Sequence, residues 1–297
     1  MPQKIIRVGS RESPLAVIQA RIVMDAIRKT DPALDVRLVT MKTTGDRLAN
    51  AKLSLFGGKG LFVKELDRAL LTGEVDLTVH SYKDMPMDTD PALPVVAVSE
   101  RADPRDVLVL PAHADAAVPT TSLAWGCSSA RRACQLQALF PGIQIEPVRG
   151  NVQTRLAKLD GGGYASLVLA AAGLLRAGLK NRISRYFSTR EILPAACQGI
   201  LAVQARQGTD LSFLRTFHAP DAWDAAVAER AFVRALGGGC GTPVAAFAVV
   251  DGGALRLEGL FLHEQTGELW RGTRTGPRAD AADIGTSLAE TAQRETQ

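Results

Sequence analysis

Between residues 5 and 177, short β-branched runs alternate with segments whose apolar residues recur at helical spacing. That alternation constrains the fold more than any other feature of the chain, because parallel strands need crossovers long enough to hold a helix. Strands are expected at 5–8, 36–41, 75–79, 107–110, 143–148 and 167–171, and helices at 61–71, 130–140, 152–159 and 172–177. A further helix has Ser13 as its cap and Pro14 as its first residue, with Leu15, Ile18, Ile22, Val23 and Ala26 as its apolar stripe. Near Asp221 the pattern changes. A helix over 222–236 precedes strand-like runs at 244–250, 255–262 and 268–275, with Asp251-Gly252-Gly253 as a hairpin turn and a last helix at 279–294. The expected architecture is α/β: two doubly wound lobes of parallel sheet covered by helices, then a small α+β unit. A length of 297 residues accommodates it, since domains typically hold about 100–200 residues.

Composition narrows the function. Hydrophobic residues make up 46% and charged residues 22%, while aromatics reach only 5%, so Ala, Leu, Val and Ile must build the core. The net charge is +4, and the arginines are spread over element ends. Nucleic-acid surfaces cluster basic residues around aromatic platforms, so a small anionic ligand fits better. Cys127, Cys134, Cys197 and Cys240 form neither a CxxC pair nor a Cys/His zinc spacing. No metal is expected, and scattered thiols suit a reducing cytoplasm. The first residues lack a long apolar run and no stretch reaches bilayer length, so a cytoplasmic chain without a membrane segment is expected.

Three polar segments each follow an apolar run and open a helical pattern. They hold Ser10, Arg11 and Ser13; Ser128, Ser129, Arg131 and Arg132; and Arg149, Gly150 and Arg155. Helix starts carry unpaired N–H groups and the positive end of the dipole, so they suit anions. Ser81, Lys83 and Asp84 follow the strand expected at 75–79. Ligands of open α/β sheets collect at the carboxyl ends of strands, so these segments are expected to share one cleft for a polycarboxylate or phosphate. Each residue also has a plainer reading. Asp84 suits a turn or cap before Met85-Pro86, Arg131 and Arg132 a solvated helix face, and Arg149 and Arg155 salt bridges. Cys240 suits a buried small hydrophobe, although glycines at 237, 238, 239 and 241 make a bare loop around it. His80, His113, His218 and His263 are not grouped and take no catalytic role. Residues 42–60 form a polar stretch expected to act as a flap, and Gly57-Gly58-Lys59-Gly60 lacks the frame of a nucleotide P-loop.

Eight motifs now stand in one collinear order. They are SRESPLA at 10–16, GGKGLFVKEL at 57–66, VHSYKDMP at 79–86, ERADPRD at 100–106, SSARR at 128–132, RGNVQTRLAKLD at 149–160, LPAACQG at 193–199 and GGGCGTP at 237–243. Together they closely resemble the porphobilinogen deaminase (hydroxymethylbilane synthase) family, from Arg7 to about Leu288. The resemblance implies three domains, 1–99 with 200–217, 100–199 and 218–297. The first two would resemble the lobes of type II periplasmic binding proteins. It implies a monomeric cytoplasmic transferase of haem biosynthesis, which condenses four porphobilinogen molecules, releases ammonia each time and frees hydroxymethylbilane by hydrolysis.

The resemblance further implies a dipyrromethane cofactor, built from two substrate units and joined by a thioether to Cys240. Under it Asp84, Lys59 and Gln198 are catalytic, Lys59 sitting on the flap. Ser81, Lys83, Asp84, Cys127, Ser128, Ser129, Arg131, Arg132, Gly150 and Arg155 hold the cofactor. Arg11, Ser13, Arg149, Arg155 and Gln198 hold substrate. Each pyrrole carries an acetate and a propionate, so a growing chain gathers carboxylates suited to arginine and helix starts. Loss of ammonia leaves an electron-poor centre whose positive charge a carboxylate stabilises. No metal, nucleotide, nucleic acid or membrane partner is implied. The chain departs from the family pattern at Cys127, Cys197, Ile200 and Gln204, where Thr, Gly, Ala and Glu are usual. Two other readings stay open. A solute-binding or effector-sensing domain of the same two-lobed build leaves Asp84 and Cys240 idle, and an acyl-transfer enzyme using Cys240 lacks a His partner.

Overall fold

A computed structural model describes residues 4–44, 63–112, 123–238, 242–263 and 266–296. The chain divides into two compact units, residues 1–101 with 200–223, and residues 102–199 with 224–297.

In the first unit, β1 (Ile5–Arg11) runs parallel to β2 (Asp35–Met41), joining Ile5 to Asp35 and Arg11 to Met41. α1 (Pro14–Thr30) makes the crossover, entered through Ser13 in extended backbone with Pro14 at the first helical position. β1 also pairs in parallel with β3 (Leu77–Ser81), which follows α2 (Lys64–Leu71). β10 (Leu201–Ala205) then returns antiparallel between β3 and β4 (Val95–Val98), giving the order β2-β1-β3-β10-β4. The period of two splits this sheet into faces. Leu77, Val79, Leu201, Val203 and Ala205 pack against Ala20, Val23, Met24 and Ile27 of α1, while Thr78, His80 and Gln204 lie on the other face.

In the second unit, β5 (Asp106–Val109), β6 (Trp125–Gly126), β7 (Ile145–Glu146), β8 (Ser166–Ala170) and β9 (Arg185–Tyr186) order as β7-β6-β8-β5-β9. Helices α3 (Ala130–Leu139), α4 (Val152–Asp160) and α5 (Ala171–Arg176) connect them. After α6 (Pro220–Ala235) comes an antiparallel meander of β11 (Val244–Asp251), β12 (Ala254–Leu262) and β13 (Leu269–Pro277), closed by α7 (Ala281–Glu295). Asp251 pairs with Ala254 across the expected hairpin turn, where Gly252 takes φ +57°, a left-handed conformation that favours glycine.

Several expectations need correction. The sheets are mixed, because β10 runs antiparallel to β3 and β4, and β5 antiparallel to β8 and β9. β3 begins at Leu77, two residues later than expected, because Val75 still belongs to the turn that closes α2. The buried stripe of α1 is Ala20, Val23, Met24 and Ile27, with Ile22 39% exposed, so the helix is rotated from the expected face. Ser13 occupies the cap position, yet its side chain makes no capping hydrogen bond.

Candidate active site

A small cleft opens in the first unit at the carboxyl ends of β1 and β3, lined by Arg11, Gln19, His80, Ser81, Asp84 and Met85. The local sequence explains how Asp84 is displayed there. Tyr82–Asp84 forms a single 3₁₀ turn whose neighbours Tyr82 and Met85 are buried, and Tyr82 N–H donates to Ile200 O at 3.0 Å. The two anchored side chains leave Asp84 exposed, and its carboxylate has no hydrogen bond or ion pair among the described residues. Among the described residues it is neither cap nor bridge. Ser81 Oγ lies 2.9 Å from Nε2 of the buried Gln19, which fixes the hydroxyl. His80 Nε2 lies 2.9 Å from Thr78 Oγ1. Burial, with Arg11 nearby acting in the same sense, pushes the His80 imidazole down to about 4, so it is neutral at pH 7. Arg11, Ser13 and Lys83 are half-buried.

In the second unit, Arg131, Arg132 and Gln198 gather around a carboxylate without an expected role. Asp106 opens β5 with no exposed surface. Arg131 Nη1 donates to its Oδ2 at 2.7 Å, and Arg132 Nε and Gln198 Nε2 both donate to its Oδ1 at 2.9 Å. Burial alone would push the Asp106 carboxyl up, but the two guanidinium groups hold it well below the usual carboxylate range. Arg131 and Arg132, 4% and 7% exposed, are thus not on a solvated helix face. Each also donates to a backbone carbonyl, Arg131 to Leu193 and Arg132 to Val168. Ser129 stands at the start of α3 without capping through its side chain, and the buried Cys127 thiol lies 3.7 Å from Ser129 O. Ser128 Oγ donates to Val148 O at 2.7 Å and accepts from Val148 N at 2.9 Å.

At α4 the cap is Asn151, whose Oδ1 accepts from Thr154 N at 2.9 Å. Gly150 before it has φ +112°, and a Cβ there would meet Thr154 Cγ2 at 2.6 Å, so only glycine fits. Arg155 Nε donates to Gly150 O at 2.8 Å. Arg149 has no side-chain hydrogen bond or ion pair among the described residues.

Asp106 and Arg176 were missed by sequence reasoning. Asp106 lies within the ERADPRD motif, and its signal was the tandem arginines, which need a counter-charge once buried. Arg176 of α5 carries no sequence signal at all. Burial pulls its guanidinium down to about 10, its Nη2 donates to Gly199 O at 2.6 Å, and among the described residues it has no carboxylate partner. Lys59, the flap glycines and Cys240 lie outside the described residues. Among the described residues no three His, Cys, Asp or Glu side chains cluster as a metal site, and no helix is long and apolar enough to cross a membrane.

Comparison with known proteins places this geometry in context. Residues 6–212 match the family model "Porphobilinogen deaminase, dipyromethane cofactor binding domain", and residues 223–294 match "Porphobilinogen deaminase, C-terminal domain". Porphobilinogen deaminase of Acetivibrio thermocellus is 56% identical over 284 residues, covering 96% of each chain. That of Alkaliphilus oremlandii is 55% identical, covering 96% of this chain and 95% of its own. Among solved structures, CbnR, a LysR family transcriptional regulator, overlaps 72% of this chain and 67% of its own at 15% identity and a TM-score of 0.44. The family models together span most of the chain, and the relatives match it nearly end to end. The chain belongs to the porphobilinogen deaminase family.

Proposed function

We propose that the Asp84 cleft is the reacting centre and that the donors around α3 and α4 hold anionic groups for it. The reaction is that of the family. The chain is a transferase, a hydroxymethylbilane synthase, which condenses four porphobilinogen molecules head to tail with release of ammonia in tetrapyrrole biosynthesis. The observation that carries the site assignment is the exposed carboxylate of Asp84, uncommitted among the described residues, in a cleft with Arg11. Asp84 accepts pyrrole N–H hydrogens, faces the positive charge that develops as ammonia leaves, and relays a proton. Arg11 and Ser13 bind substrate carboxylates, and Ser81, fixed by Gln19, orients them. His80 stays neutral and adds no second cation.

Residues 6–212 form a dipyrromethane-cofactor-binding domain. The donor set suits such a group, since Arg149 and Arg176 have no carboxylate among the described residues and the starts of α3 and α4 lie among serines and glycine. When bound, the dipyrrole supplies the carbon nucleophile to which substrate units add. Ser81, Lys83, Cys127, Ser128, Ser129, Arg131, Arg132, Gly150 and Arg155 hold its carboxylates, while Arg149 and Gln198 serve incoming substrate. Cys240 is its attachment point through a thioether, and Lys59 belongs to the flap. Three domains, 1–99 with 200–217, 100–199 and 218–297, fit the three separate sheets. The chain works as a cytoplasmic monomer without nucleic acid, in keeping with its mild charge and scattered cysteines.

Intact mass with a colour reaction for pyrroles tests the reading. Wild-type protein is expected to be heavier than its sequence by one dipyrrole, Cys240→Ser to lack that mass, and Cys127→Ser and Cys134→Ser to retain it. An adduct on another cysteine overturns the attachment. Protein of bare sequence mass that consumes no porphobilinogen overturns the site reading.

A further inference from the structure

We infer that Asp106 is a positioning residue, which, braced by Gln198, fastens Arg131 and Arg132 into one fixed set of donors for the anion held beside α3. The inference rests on the proposed cofactor reading and extends it to a residue that touches no ligand. Asp106 cannot itself be a ligand group. An ionised carboxylate offers about four lone-pair positions. Here Oδ2 meets Arg131 Nη1 at 2.7 Å, while Oδ1 is crowded by Arg132 Nε at 2.9 Å, Arg132 Nη2 at 2.8 Å and Gln198 Nε2 at 2.9 Å, and the residue has no exposed surface through which a ligand could reach it. Gln198 Nε2 donates in addition to Pro104 O at 2.7 Å, so the amide is held at both ends of the turn into β5.

Arg131 is the telling member. It is 4% exposed, yet all its hydrogen bonds among the described residues leave from Nη1, to Asp106 and to Leu193 O. A guanidinium has five donors in a rigid fork, so the Nε and Nη2 hydrogens of a nearly buried arginine remain for another acceptor. A carboxylate that grips one end of the fork sets the direction of the other. Neither Gln135, which packs against Arg131 O and Leu193, nor any backbone carbonyl here can supply the charge that does this.

The experiment is intact mass of the full chain purified from one host, read as the fraction carrying the dipyrrole, together with the melting temperature. Asp106→Asn keeps the shape and removes the charge, and its loaded fraction is expected to fall at least tenfold. Phe187→Leu, a core change in the same unit, is the control for lost stability and is expected to stay loaded. Should Asp106→Asn fail to fold, Asp106→Glu decides. It keeps the charge, displaces both guanidinium groups by one methylene, and is expected to fold with a several-fold loss of loading. Full loading of a folded Asp106 variant overturns the inference. So does equal loss of loading in Phe187→Leu, because loading would then follow stability alone. Wild-type protein without the adduct would instead overturn the underlying site reading.

Discussion

At the residue scale, Asp84 and Cys197 behave in opposite ways. Asp84 was legible as a candidate because it sits at a strand end, but only the structure separates it from a cap, by leaving its carboxylate exposed and, among the described residues, uncommitted. Asp84→Asn should therefore fold like wild type, with an unchanged melting temperature. Turnover of porphobilinogen should drop roughly a hundredfold to a thousandfold, the usual loss for a preorganised charge worth about 3–4 kcal/mol. Near-normal turnover of cofactor-loaded protein would show that the charge is not catalytic. Cys197 is buried at φ +62°, and its N–H donates at 2.6 Å to Glu229, which also accepts from Ala248 N at 2.7 Å. That buried carboxylate holds the residue in a conformation costing non-glycine residues about 1–2 kcal/mol. Comparing two substitutions isolates the strain from the lost thiol. Cys197→Gly should be about 1 kcal/mol more stable to urea than Cys197→Ala, reversing the common order; the reverse result would show that no strain resides there.

At the element scale, helix starts were readable and helix faces less so. Asn151 begins the RGNVQTRLAKLD helix with its side chain on Thr154 N, and this local hydrogen bond depends on residues three apart. Asn151→Ala should cost about 1 kcal/mol of stability in urea titrations while sparing the Asp84 cleft, which lies in the other unit. A change below the error of the titration would mean that the cap carries nothing. By contrast, α1 turns Ile22 outward and Met24 inward, a rotation its periodicity alone left ambiguous. The choice follows from β3 and β10, whose Val79 and Val203 meet α1 from a distant part of the chain.

At the scale of the whole molecule, buried titratable groups set the response to acid. His80 has an imidazole lowered to about 4, against about 6.5 in an unfolded chain. A depressed value means that the unfolded chain binds the extra proton. The stability from His80 is thus full above pH 6.5 and is lost as pH falls towards 4, on the order of 3 kcal/mol at most. Asp67 works against it. Burial and Asp90 raise its carboxyl to about 6, so its contribution is present at low pH and lost as pH rises through 6. Urea midpoints should fall between pH 6.5 and pH 4.5, and more steeply in Asp67→Asn, where the opposing group is gone. A shallower fall in that variant would refute the assignment. Asp106, held low by Arg131 and Arg132, gives way only below the ordinary carboxylate range.

The sequence by itself determined the class of elements, their order, the meander with its Gly252 turn, and where the helices after Ser13, Ser129 and Asn151 begin. These depend on period, caps and backbone freedom within a few residues. Tertiary structure alone decided that β10 returns antiparallel beside β3, because strand direction is set by partners far away in the chain. It also decided that the tandem arginines face inward onto Asp106, 25 and 26 residues away. A buried charge must be answered by whatever the fold brings beside it, and no local pattern names that partner.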